Sequence, residues 1–149
     1  MRTAVMTGIL GCALASGAAL HAQVSLSRAA YVERLSDNGE TRSVVPATIL
    51  RSGDTVILMV SWQADQSRNA FTVSSPIPKH LSFKASASDR QVVSIDGGKN
   101  WARLADLTVK DGTQTRRASA EDVTHLRWRI AANTAARGSG KITYSAIVR

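Results

Sequence analysis

The side chains able to do chemistry in this chain of 149 residues are carboxylates, a few histidines and a cluster of arginines. Glycoside hydrolysis usually needs two carboxylates facing each other across a cleft. The eleven acids run from Glu33 to Asp122, mostly in polar, turn-like contexts, and no spacing pairs them. A carboxylate in such a context usually caps a turn or faces water. Beyond His21 near the amino terminus, only His80 and His125 remain, without metal-ligand spacing. No Gly-x-Ser-x-Gly elbow presents a serine nucleophile. The arginines are better organised. His125, Arg127 and Arg129 fall on one face of an alternating stretch, and Arg116 and Arg117 precede it. Guanidinium forks suit phosphate and carboxylate, so these four arginines form a candidate anion-binding set. The same residues also read as the solvent face of an edge-proximal strand, charged against unwanted pairing.

The stretch SIDGGKNW, Ser94 to Trp101, carries the most specific local pattern. Asp96-Gly97-Gly98 marks a tight turn, because glycine accepts positive φ without steric cost. The Asp96 side chain can accept bonds from nearby backbone N–H groups and stiffen that turn. Ser94, Asp96, Gly97, Gly98 and Trp101 together resemble the Asp-box of sialidases and related β-propellers. There the box is a folding element away from the catalytic centre, so the resemblance transfers no catalytic residue. A propeller needs several four-stranded blades, and one box in a chain of this length does not build them. A structural hairpin is the expectation, with Trp101 leading a return strand into the core.

The elements that must carry these residues read as all-β. Val56 to Trp62 is a continuous apolar, β-branched run of the kind found in strands buried on both faces. Ala70 to Ser74 alternates and stops at Pro76 and Pro78, which cannot donate to a central ladder. Gln91–Ile95 and Trp101–Val109 flank the SIDGGKNW turn. Leu126, Trp128 and Ile130 share one face of a further strand, and Ile142, Tyr144, Ala146 and Val148 share one face of the last. Val24 to Leu35 makes a first strand. Ser119-Ala120-Glu121-Asp122 has capping-box spacing with room for about one turn. Seven or eight short strands separated by turn signals predict a two-sheet antiparallel β-sandwich. Trp128 alternates away from the arginines, which argues against a nucleic-acid stacking platform.

Residues 1–22 have one positive charge, an apolar and small-residue run, and Ala22 at a plausible cleavage point, the layout of a secretory signal peptide. The run is short and broken for a membrane span. Ile9-Leu10-Gly11-Cys12 also has the form of a lipoprotein box, although the apolar run continues past it. Cleavage would leave residues 23–149, enough for one domain, with no further transmembrane span. Cys12 is the only cysteine, so that mature chain forms no disulfide of its own. It keeps 18 Lys and Arg against 11 Asp and Glu, a net charge of +7 that favours anionic partners.

Several segments in order resemble the bacterial conserved-repeat family called domain of unknown function eleven. They are Arg51-Ser52-Gly53-Asp54-Thr55 before an apolar strand, Val73-Ser74-Ser75-Pro76-Ile77-Pro78, Asp122-Val123-Thr124-His125-Leu126-Arg127-Trp128, and the Gly138-Ser139-Gly140 turn before the last strand. The resemblance spans about residues 44–149. It departs at Ser75, where the family often has Asp, and at Arg51, where Pro is common. It implies an immunoglobulin-like envelope or surface module without catalytic residues. The chain is therefore expected to be an exported, periplasmic or surface, structural or interaction module, neither enzymatic nor cofactor-dependent. The partner expected is an envelope protein or, alternatively, an anionic polymer or lipid held by Arg116, Arg117, Arg127 and Arg129. A secreted glycan hydrolase is the remote alternative.

Overall fold

The computed structural model describes residues 24–36, 38–64, 69–88 and 90–149. The expected leader lies outside the described residues. Ten strands are present among the described residues, rather than seven or eight, and all pair antiparallel. They are β1 (Val24–Leu35), β2 (Arg42–Pro46), β3 (Thr55–Ala64), β4 (Phe71–Pro76), β5 (Leu81–Ser86), β6 (Val92–Ser94), β7 (Thr108–Asp111), β8 (Gln114–Arg117), β9 (His125–Ile130) and β10 (Ser139–Val148). One sheet has the order β2-β1-β3-β10-β5, a second has β4-β9-β6, and β7-β8 is a separate hairpin.

The sandwich follows from period-two patterning. In β3, Val56, Val60, Trp62 and Ala64 point inward and are buried, while Ile57 and Met59 on the other face stay half-exposed. The apolar run is thus buried on one face, not both, because no described element covers the outer side of the five-stranded sheet. Leu126, Trp128 and Ile130 of β9 and Tyr144, Ala146 and Val148 of β10 meet in the same core. Ring contacts bridge the layers: Trp62 meets Phe71 edge-on at 5.2 Å, and Trp128 lies 5.8 Å from Tyr144. Aromatic pairs of this kind add about 0.5–1.5 kcal/mol beyond burial.

Turn chemistry sets the connections. Ser119 and Asp122 form a reciprocal capping box around one 3-10 turn, Ala120–Asp122, which delivers the chain into β9. The expected strand Trp101–Val109 does not form as one unit. Ala102 makes an isolated bridge to Val93, a 3-10 turn follows at Leu104–Asp106, and only then does β7 begin. Among the described residues no helix is long and apolar enough to cross a membrane.

Candidate functional site: the cationic face of the small sheet

β9 is the central strand of the small sheet, flanked by β4 and β6, so its arginines do not guard an edge. Period-two alternation puts His125, Arg127 and Arg129 outward and the apolar residues inward. Across the ladder, Arg127 stands opposite Ser74, and its Nε donates to the Ser74 hydroxyl at 3.2 Å. The guanidinium lies 3.6 Å above the centre of the Trp101 ring. His125 meets the same indole edge-on at 6.2 Å, and its Nδ1 lies 3.1 Å from the Thr124 hydroxyl. Arg129 continues the face, exposed and without a carboxylate partner among the described residues.

The SIDGGKNW turn positions Trp101. The Asp96 carboxylate accepts from the Ser94 hydroxyl at 2.7 Å, the Lys99 and Asn100 amides at 3.1 and 3.0 Å, and the Asn100 side-chain amide at 2.7 Å. These donors hold its pKa well below the ordinary carboxylate range, with the Asn100 backbone bond first among the causes. Ser94, fully buried, accepts in turn from the Gly98 amide at 2.8 Å. Gly97 and Gly98 sit at φ of 79° and 89°, a conformation that side chains resist. Thr124 ties the turn to β9 by donating to the Ser94 carbonyl and accepting from the Gly97 amide, both at 3.1 Å.

Trp101 does not enter the core. Its Nε1 donates to the Gly98 carbonyl at 2.9 Å, which swings the ring across the outer face of the sheet, half-buried beneath Arg127. The structure therefore brings together Arg127, Arg129, His125 and Trp101. It separates Arg116, whose guanidinium forms a two-pronged pair with Asp122 at 2.7 and 2.8 Å. That fork already has its anion, and it holds Asp122 well below the usual carboxylate range. Arg117, exposed on β8, belongs to the separate hairpin opposite Thr108.

The alternation of β9 revealed the arginines, but not the indole beneath them. The signal for Trp101 was the three-residue spacing from Gly98, which fits the indole-to-carbonyl bond. The same turn chemistry occupies three of the carboxylates: Asp96 in its turn, Asp122 in the capping box, and Asp54 by the Arg51 amide and Arg34. His80 lies exposed in the loop before β5. Among the described residues, no three His, Cys, Asp or Glu side chains come together as a metal site. No family model matches the chain, and neither does any curated protein or solved structure.

Proposed function

We propose that this chain is an exported structural or interaction module of the bacterial cell envelope. Its outward face on the small sheet contacts an anionic envelope polymer or lipid surface. The observation that supports this reading is the stacked Arg127–Trp101 pair with Arg129 beside it on the same strand face. Stacking and the Ser74 hydroxyl pre-orient one guanidinium, which lowers the ordering cost of meeting a phosphate, sulfate or carboxylate. Export rests on the layout of residues 1–22, and the envelope role on the resemblance to exported immunoglobulin-like modules.

The test is salt-dependent binding to phosphatidylglycerol vesicles and to dextran sulfate. A basic side chain near an anionic membrane surface contributes about 1 kcal/mol. Replacing Arg127 and Arg129 together by Gln is expected to weaken vesicle binding by roughly 30-fold, from about 2 kcal/mol. Replacing Arg116 with Gln should change binding little, because Asp122 already neutralises it. Unchanged affinity in the Arg127→Gln, Arg129→Gln variant overturns the assignment.

A further inference from the structure

The two sheets do not match in width: five strands face three. Trp62 of β3 meets Phe71 of β4, so β4 lies over β3. The next strand outward in the large sheet, β1, has no strand above it among the described residues. Its inward residues pair with buried Trp62 and Val60 and half-buried Leu58 of β3, yet Leu26 is 41% exposed, and Arg28 and Ala30 are exposed too. Beside β4 the gap deepens into a half-open cavity of about 150 Å³ lined by Arg28–Ala30, Leu58–Val60 and Tyr144. A cavity of that size, apolar along most of its wall, holds one benzene-sized group.

The wall of the gap is an open strand edge. The Ile77 amide donates to the Thr124 carbonyl on the β9 side. Antiparallel alternation therefore turns Ser75, Val73 and Phe71 toward β9 and leaves the N–H and C=O groups of Thr72 and Ser74 facing outward. Arg28 confirms this direction, since its Nη2 donates to the Ser74 carbonyl, although at a long 3.5 Å. Arg28 has no carboxylate partner among the described residues. Strand spacing is about 4.8 Å, so one added strand beside β4 would sit over β1.

We propose that this groove binds an extended segment of a partner polypeptide as a fourth strand of the small sheet. Its backbone pairs with Thr72 and Ser74, an aliphatic side chain enters the cavity, and an acidic side chain two residues away meets Arg28. Such edge addition takes affinity from main-chain bonds and specificity from alternate side chains. A second copy of this chain fits poorly. Pairing β4 with β4 would bring two Arg28 side chains to one seam, and Phe71–Pro76 has no acidic residue to offset them. Residues 1–23 hold no acidic residue either. This site uses the backbone edge of β4, whereas the cationic face uses outward side chains; Ser74 alone serves both, through different groups.

The probes are the nonapeptide SVTLTDTVS, blocked at both ends, and its counterpart SVTLTKTVS. On the full chain, the Asp peptide is expected to bind and to slow hydrogen exchange at the Thr72 and Ser74 amides. Arg28→Glu should reverse the preference, losing about tenfold for the Asp peptide and favouring the Lys peptide. Ala30→Trp should fill the cavity and abolish both. Arg28 is exposed, so its variant keeps the test valid even if Ala30→Trp fails to fold. Arg127→Gln with Arg129→Gln should leave peptide binding intact, which separates this site from the cationic face. Binding that leaves Thr72 and Ser74 exchange unchanged overturns the proposal, as does binding indifferent to Arg28→Glu or absence of binding by both peptides. Self-association of the free chain that Ala30→Trp abolishes would make a second copy the occupant and also overturn it.

Discussion

Asp96 shows how much a single carboxylate can organise without doing catalysis. Its four hydrogen bonds freeze the turn that lays Trp101 beneath Arg127. They favour the ionised form, so the folded state holds the pKa below the ordinary value of 3.8. A depressed carboxylate stabilises the fold at pH above its unfolded pKa, and that contribution is lost progressively as pH falls from there through the folded pKa. Asp96→Asn keeps the shape and removes the charge. Its melting temperature should lie below that of the parent by a constant gap at neutral pH. The gap should then narrow as the solution is acidified through pH 3.8. Thermal melts of both proteins across that range check this, and a gap that widens in acid would show that hydrogen-bonded charge is not what holds the turn.

At the scale of elements, the tightest fit lies where β10 passes β3. Gly140 stands opposite Trp62 in the ladder, and a Cβ there would fall 2.4 Å from the indole Cζ2. Trp62 is 2% exposed and held edge-on by Phe71, so the ring has nowhere to retreat. Gly140→Ala is therefore expected to cost ~1–3 kcal/mol by overpacking, read as a lower denaturant midpoint at unchanged slope. The residues around this contact also show which elements are legible in sequence. β3, β9 and β10 announce themselves because one face is buried and period-two alternation records it. β2 and β8 are exposed along their whole length, so no burial pattern marks them, and the polar stretch Lys110–Ser119 contains the β7–β8 turn. The arginines of β9 were readable for the same reason as its core face. Trp101 was not, because it follows an irregular turn in which side-chain direction comes from hydrogen bonds rather than alternation. The groove beside β4 was invisible too, since it arises from the unequal strand numbers of two sheets.

Across the whole molecule, the layers are joined mainly by apolar contacts. Residues 24–149 contain no cysteine, so no disulfide within that span assists them. A buried polar contact also crosses the core: the hydroxyls of Ser75 on β4 and Tyr144 on β10 lie 3.1 Å apart. Ser75 is 1% exposed, and among the described residues its hydroxyl's only other partner is the Pro76 carbonyl at 3.5 Å. Burial raises the Tyr144 phenol above its ordinary value, and the Ser75 hydroxyl works against that rise. Tyr144→Phe leaves the Ser75 oxygen nearly orphaned, at a cost of about 1–3 kcal/mol. Ser75→Ala leaves the phenol without its hydroxyl partner and should raise its pKa further. The double variant removes both polar groups, so it should be less destabilised than the sum of the single changes. Denaturant unfolding of all four proteins measures that coupling, and ultraviolet titration follows the phenol. Strict additivity, with the phenol unmoved by Ser75→Ala, would show that the bond does not link the sheets. The cavity under β4 would then lie beside a seam closed by packing alone.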